Sequence, residues 1–129
     1  LKESVLGDMP SVQDPVLEAG SLGENLSGLF EVTSVVGAGD LETEYVVIRY
    51  IGEDPVSMQG WSLRNEDGLE FVFPNVRLLN NTDVKVNSRE GANSVNGLFW
   101  GALEAVWASG ETISLFDPSG LIQADYTIP

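Results

Sequence analysis

Hydrophobic and polar positions alternate with a period of two along most of the chain. The first two such runs are LFEVTSVV at residues 29–36 and EYVVIRYI at residues 44–51. Both are rich in β-branched and aromatic residues, which favour strands, and the GAGD between them is a turn signal. In the second run Val46, Ile48 and Tyr50 share one face, whereas Arg49 marks the other face as the more solvated one.

A tight hairpin is predicted at GWSLRNEDGLEFVFP, residues 60–74. Its central Asp-Gly pair supplies the positive φ that short hairpin loops require. Trp61 and Leu63 share one face of the first strand. Phe71 and Phe73 share one face of the second strand. Together these four side chains predict a cross-strand apolar cluster facing a sandwich core.

Four further runs have strand character: VRLL at 76–79, VKVNS at 84–88, TISLF at 112–116 and LIQADYTI at 121–128. The pattern therefore predicts seven or eight short strands with polar turns between them, as is typical of an antiparallel sandwich or barrel. No long helical pattern alternates with the strands, so a parallel sheet is disfavoured. The predicted fold class is an all-β antiparallel sandwich with one long aromatic loop.

Residues 1–28 differ in composition from the rest, being rich in Gly, Ser and acidic residues. Apolar residues recur there at helical spacing, but Pro10 and Pro15 interrupt any helix. The segment predicts an acidic linker or arm, followed by a β-sandwich domain over residues 29–129. Because the sequence begins without methionine and shows no signal-peptide pattern, we expect it to be a piece of a longer protein.

Residues 89–110 interrupt the strand pattern, beginning as a polar loop and becoming apolar. Trp100, Leu103 and Trp107 have helical spacing, which predicts a short amphipathic helical turn folded onto the sandwich. Phe99, Trp100 and Trp107 are also the best candidates for a partner-binding surface, because tryptophan is enriched in interface hot spots. The alternative is that these rings pack the loop back onto the sheet.

Composition excludes several kinds of chemistry. The 129 residues include no cysteine and no histidine, so thiol nucleophiles, disulfides, Cys-based zinc sites and Ser-His-Asp triads are impossible. The net charge of −14 repels phosphate backbones and disfavours nucleic acid as a partner. No apolar run approaches the length of a membrane span.

Carboxylates are the remaining candidates for chemistry. Asp40, Glu42 and Glu44 alternate along what we expect to be an extended strand, and oxygen ligands along one face suit Ca²⁺. The alternative is a solvated strand end that repels other sheet edges. Carboxylate pairs can hydrolyse glycosides, but acidic turn residues such as Asp67 and Asp117 occupy sequences that select Asp for backbone reasons. We predict no enzymatic activity and no cofactor, with Ca²⁺ as the alternative.

Four stretches in a fixed order carry a family resemblance. EYVVIRYIG is similar to EYVEI.N.G, and MQGWSLRNEDGLEFVFP is similar to L.GW.L.d..G..y.Fp. The leucines of LLNNTD and the final SGETISLFDPSGLIQADYT complete the match. The family that these stretches resemble is the lamin tail domain, over about Leu29 to Ile128. Two features depart from it: Tyr50 stands where asparagine is frequent, and NNTDVKV replaces a glycine-containing turn.

The resemblance implies an immunoglobulin-like sandwich with Trp61 between its sheets. It also implies a non-enzymatic binding or scaffolding module of bacterial type within a larger protein. The expected partner is a protein or a cell-envelope component, with the domain a monomer or weak homodimer; an extracellular or cell-surface location is favoured in a bacterial host. The family's chromatin association is disfavoured by the net charge. The alternatives are a Ca²⁺-dependent adhesion or carbohydrate-binding module and an accessory domain of an enzyme.

Overall fold

The computed structural model describes residues 28–94 and 97–129. Within these ranges all regular structure is β, in ten strands: β1 Phe30–Val36, β2 Tyr45–Tyr50, β3 Val56–Ser57, β4 Ser62–Arg64, β5 Glu70–Val72, β6 Arg77–Leu78, β7 Thr82–Asn87, β8 Leu98–Phe99, β9 Thr112–Phe116 and β10 Ile122–Thr127. All eight strands predicted from the sequence are present. The two that were not predicted, β3 and β8, have two residues each and lie in the stretches GEDPVSMQG and NGLFWG, which do not alternate.

The strands form two four-stranded sheets, ordered β1-β2-β7-β8 and β10-β9-β4-β5, and a small β3-β6 ladder. Pairing is antiparallel throughout except between β7 and β8. Register shifts between Val32 and Ser34 in β1 and between Ile122 and Ala124 in β10 mark β-bulges, which bend and twist the strands. The predicted immunoglobulin-like antiparallel sandwich is confirmed.

The core lies between the two large sheets and is built from alternate residues of the strands. In β2, Val46 and Ile48 are buried whereas Arg49 is exposed, so the predicted inner and outer faces are confirmed. Trp61 is completely buried, and its ring centroid lies 4.6 Å from that of Phe30 in the opposite sheet. The prediction that Trp61 fills the space between the sheets is therefore confirmed.

The predicted hairpin is formed by β4 and β5, which pair antiparallel. Gly68 in the connecting loop has a φ of 89°. The Asn65 side chain organises this loop, because its Oδ1 accepts hydrogen bonds from the backbone N–H groups of Asp67 and Leu69. Its Nδ2 donates to the carbonyl of Val106 at 2.9 Å. One side chain thus shapes the hairpin and attaches it to the long loop.

The turn before β7 contains two asparagines, Asn80 and Asn81, and no glycine. Asn81 has a φ of 58°, a left-handed conformation that asparagine tolerates better than most residues. The preceding Asn80 donates from Nδ2 to the carbonyl of Gly52 at 2.7 Å. Thr82 donates from its hydroxyl to the carbonyl of Leu79 at 2.6 Å. Side-chain hydrogen bonds therefore hold the turn in place of a glycine.

The prediction of a helical turn in the long loop is wrong. Trp107 is 2% exposed but Leu103 is 95% exposed, so the two do not share a buried face. The Trp100 N–H donates to the carbonyl of Asn87, the last residue of β7, and the Ala102 N–H donates to the carbonyl of Ser88. In a helix each N–H would instead donate to the carbonyl four residues earlier. Gly101 between them has a φ of 77°, which no right-handed helix contains.

The predicted arm at residues 1–28 lies outside the described residues, except for Gly28. Across residues 28–94 and 97–129 the structure has no helix long and apolar enough to cross a membrane.

Candidate functional site

A groove of about 570 Å³ lies between strand β5 and the first part of the long loop. One wall consists of residues 69–72, and the other consists of residues 100–104. We refer to it as the β5 groove. Its volume falls in the range of ~300–1,000 Å³ that is usual for ligand sites.

Aromatic rings connect the β5 groove to the core. Trp100, in the groove wall, lies 5.7 Å from Phe71 and 5.6 Å from Trp107, measured between ring centroids. The contact between the two tryptophans is edge-to-face, at 78°. Trp107 is buried, whereas Trp100 is half-buried. The Trp100 ring at the groove therefore packs on rings that belong to the core. Aromatic pairs of this geometry contribute about 0.5–1.5 kcal/mol beyond their burial.

The structure brings together two of the three aromatic residues that were predicted to bind a partner. Phe99 lies outside the lining of the β5 groove. Its ring fits against Gly91, where a Cβ atom would approach it to 2.5 Å. The guanidinium of Arg89 lies 5.0 Å from the ring centroid. Partner binding by Phe99, Trp100 and Trp107 stays a prediction, and Trp100 is the one exposed to the groove.

Three exposed apolar side chains border the β5 groove and were not predicted as site residues. Leu69, Val72 and Leu103 are 44%, 57% and 95% exposed. Val72 had a usable signal in the sequence, because it alternates with Phe71 and Phe73 and so points away from the core. Leu103 had none, because its helical spacing from the tryptophans predicted the opposite orientation.

Strand β5 is the edge of its sheet. Phe73 and Leu69 exchange backbone hydrogen bonds with the β4 side, through Phe73 N–H at 2.8 Å and the Leu69 carbonyl at 3.2 Å. Because such bonds alternate along an antiparallel pair, the N–H and C=O groups of Glu70 and Val72 point away from β4. No hydrogen bond from elsewhere in the described residues reaches these groups. The edge beside the groove is therefore open.

Two carboxylates, Glu70 and Glu104, border the β5 groove. Glu70 forms an ion pair with Arg64, with 3.0 Å between its Oε2 and the Arg64 Nε. The Arg64 guanidinium also lies 4.2 Å from the centroid of the Phe116 ring, so it is held on the outer face of the sheet. Glu104, at the other wall, is exposed and forms no ion pair within the described ranges. The chain as a whole carries a net charge of −14.

The predicted metal ligands do not lie along a strand. The N–H groups of Thr43 and Glu44 donate to the carbonyl of Asp40, at 3.1 and 2.8 Å, which closes a turn. The Asp40 carboxylate also accepts from the N–H of Glu42 at 3.1 Å. The expectation of an extended strand is therefore wrong, because the Asp40 side chain and carbonyl cap a turn. Such local bonding is common for aspartate.

Glu44 is 1% exposed, and both of its carboxylate oxygens accept backbone hydrogen bonds. Oε1 accepts from the N–H of Gly39 at 3.0 Å, and Oε2 accepts from the N–H of Val106 at 2.6 Å. Glu44 thus joins the β1–β2 turn to the long loop. In the part of the chain that the structure describes, no three Asp or Glu residues are grouped closely enough to hold a metal ion. Ca²⁺ binding stays an untested prediction.

Asp117 is buried in the turn between β9 and β10 and is fully hydrogen-bonded. Its Oδ1 accepts from the N–H and hydroxyl of Ser119 and from the N–H of Leu121, and its Oδ2 accepts from Gln123. Burial alone raises the pKa of Asp117, but these hydrogen bonds outweigh burial and hold the pKa below its ordinary value. The carboxylate is engaged in holding the turn.

Comparison with known families bears on the whole domain. The family model of the Lamin Tail Domain matches residues 28–129. Among curated proteins, none matches the chain. The matched range includes all ten strands described above, so the resemblance inferred from the four sequence stretches is confirmed. The chain belongs to the lamin tail domain family, with that family's immunoglobulin-like β-sandwich fold.

Proposed function

We propose that this domain is a non-catalytic binding module that holds a partner protein in the β5 groove. Membership of the lamin tail domain family supports a non-catalytic immunoglobulin-like module in general. The observation that carries the specific role is the combination of an open strand edge with exposed apolar side chains on both sides of one groove.

Exposed apolar area favours an interaction at this place. Val72 and Leu103 stand on opposite walls of the groove and are each more than half exposed. Single exposed apolar residues are normal on protein surfaces, but a contiguous patch next to an aromatic floor is typical of a binding site. Burying two such side chains fully stabilises a complex by roughly 1.5–3 kcal/mol each.

The groove is also held in one shape before any partner arrives. Trp100 donates its N–H to the Asn87 carbonyl at 2.8 Å, and Ala102 donates to the Ser88 carbonyl at 2.9 Å. These bonds fix the loop wall against the end of β7. Trp107 supports the Trp100 ring from the core. A preorganised site loses less conformational freedom on binding, which supports this surface over a mobile loop.

A protein partner with a basic surface fits the groove best. Glu70 and Glu104 border it, and the net charge of −14 extends the negative potential over the domain. Opposite charge on the partner speeds association and discriminates against acidic competitors. Nucleic acid is disfavoured by the same charge.

Selection of a phage-displayed library of random short peptides against the domain tests the proposal. We expect enriched peptides whose binding falls by about tenfold or more in Leu103→Lys, because the substitution removes an apolar contact and places in the groove wall a charge that repels a basic partner. The matched control is Leu121→Lys, since Leu121 is 52% exposed and lies in the β9–β10 turn, outside the groove. Equal effects of the two substitutions, or peptides that ignore both, would contradict a binding role for the groove.

A further inference from the structure

We infer that the β5 groove binds an extended segment of its partner as an additional β-strand on β5, and that the segment alternates apolar and basic residues. This inference rests on the proposed function and deepens it, because it names the binding mode and the chemistry of the segment. It follows from three features of the described residues: the direction of the free backbone groups, the position of Trp100 and the charge.

The backbone of β5 offers a template for strand addition. Glu70 and Val72 each direct one N–H and one C=O away from β4. The two residues are about 6.8 Å apart along the strand, which is the repeat at which an incoming strand presents its own matching groups. Unpaired edges of this kind pair readily with another chain, and several peptide-binding domains use them in this way.

Backbone pairing alone does not select a partner, because β5 has only three residues. Side-chain geometry supplies the selection. Residues directly opposite each other on neighbouring strands place their side chains on the same face of the sheet. Phe71 points to the inner face, where the Trp100 ring lies 5.7 Å from it. The partner residue opposite Phe71 therefore lies against Trp100, and an apolar side chain fits there.

The neighbouring partner residues point to the other face of the sheet, where Glu70 lies. Glu104 adds a second carboxylate at the opposite wall. A lysine or arginine opposite Glu70 shares with Arg64 a carboxylate that is 40% exposed. Glu104 at the other wall has no ion-pair partner among the described residues. The favoured segment therefore carries basic residues on either side of the apolar one.

Charge also argues against a second copy of this chain as the occupant. Pairing of the β5 strands of two copies would bring their Glu70 side chains near each other, and each copy carries a net charge of −14. Like charges at such short distances destabilise an interface, most strongly at low ionic strength. A basic segment of a different protein meets no such repulsion.

Backbone N-methylation of a selected peptide tests the inference on the unaltered domain. A groove-dependent peptide from the library is synthesised with single N-methyl groups at successive positions. If it binds as a strand, methyl groups at alternate positions reduce affinity by about tenfold or more, because they remove donors to β5, while those between have little effect. We also expect the amide hydrogens of Glu70 and Val72 to exchange more slowly in the complex.

A pair of protein variants gives a second test of strand addition. Val72→Pro removes the outward N–H of Val72 but none of the bonds to β4, and proline is tolerated at such edge positions. Val72→Thr keeps the donor and a similar shape. We expect the first to abolish binding of the selected peptide and the second to preserve it, with unfolding curves confirming that both variants fold.

Each outcome separates the inference from the proposed function. Period-two sensitivity to N-methylation, with basic residues enriched in the selected peptides, supports both. Peptides that need Leu103 but are insensitive to N-methylation overturn strand addition and leave the binding role intact. Absence of any groove-dependent peptide contradicts both. A domain that sediments as a dimer, and becomes monomeric with Val72→Pro, overturns the basic partner in favour of a second copy.

Discussion

Trp100 and Trp107 lie on the same loop and contact each other edge-to-face, yet they have different environments. Trp107 is buried, and the backbone of the adjacent Val106 is held on both sides: its N–H donates to Glu44, and its C=O accepts from Asn65. Trp100 is half-buried and faces the edge strand β5, which pairs with no further strand among residues 28–94 and 97–129. The Trp100 N–H also has a backbone partner, the Asn87 carbonyl. The place of each ring in the fold, and not the residue type, therefore decides which ring joins the core.

The two halves of the loop also illustrate where a binding surface arises in a sandwich. In the Trp107 half, side chains from distant elements replace the missing strand ladder, and both backbone groups of Val106 have a partner. In the Trp100 half, the loop stops short of pairing with β5 and leaves a groove. The edge is tolerated because Glu70 and Val72 are exposed to solvent.

The largest expected effect separates the two tryptophans directly. Trp107→Ala removes a fully enclosed ring and should lower the free energy of unfolding by about 3–5 kcal/mol. Trp100→Ala removes a half-exposed ring and should cost about half as much, because part of its surface is already in water. Urea unfolding followed by far-UV circular dichroism measures both. Equal losses in the free energy of unfolding would show that the two rings are packed alike.

The sequence predicted the strands well because their signal is local. Alternation alone distinguished the inner Val46 and Ile48 from the outer Arg49, and alternation together with the family resemblance marked Trp61 as core. These assignments depend on neighbours in the chain, which the sequence displays directly. The short strands β3 and β8 were missed because their two residues each lie in stretches without alternation.

The candidate site was harder to predict because its causes are not local. Glu44 looked like one acidic residue among three, but its role depends on Val106, which is 62 positions away. Trp100 and Trp107 were equivalent in the sequence, and helical spacing suggested one shared face. The edge position of β5 follows only from the strand order. Each of these facts requires the topology, which alternation does not encode.

The second prediction tests the hydrogen bond between Glu44 and Val106, which holds the Trp107 half of the loop. Glu44→Ala leaves the buried N–H of Val106 without an acceptor and should reduce the free energy of unfolding by about 1–3 kcal/mol. Glu44→Gln retains one acceptor oxygen and should lose about half of that. Glu42→Ala is the matched control: Glu42 is exposed and is two positions away in the same turn. We expect it to change stability by less than about 0.5 kcal/mol.

The same unfolding curves, repeated with Ca²⁺ and with a chelator, test the metal alternative from the sequence. Because the Glu44 carboxylate is occupied by two backbone donors, we expect the wild-type melting temperature to be equal in both solutions. A Ca²⁺-dependent rise that disappears in Asp40→Asn with Glu42→Gln would show that the turn binds the ion, through linkage of binding to folding.

The smallest expected effect concerns Glu111, just after the Trp107 half of the loop. Its carboxylate accepts a hydrogen bond from the N–H of Ala108 at 3.1 Å. Burial raises the pKa of Glu111 above its ordinary value of 4.5; the Ala108 hydrogen bond lowers it in part, and the charges of Asp67 and Glu66 raise it further. The folded protein thus binds this proton more tightly than the unfolded chain does. Ionised Glu111 therefore opposes folding above its folded pKa, and this penalty disappears as the pH falls below 4.5.

Glu111→Gln should consequently be slightly more stable than the wild type at pH 7, by less than about 0.5 kcal/mol, since its amide oxygen still accepts from Ala108. The advantage should vanish at pH values below 4.5, where both states of the wild type are protonated. Removing any negative charge from a chain of net charge −14 also reduces general repulsion. Glu104→Gln, an exposed change of equal charge in the open half, measures that general contribution. If both variants gain equally at pH 7, the local burial of Glu111 contributes nothing, and the two halves of the loop do not differ in their electrostatics.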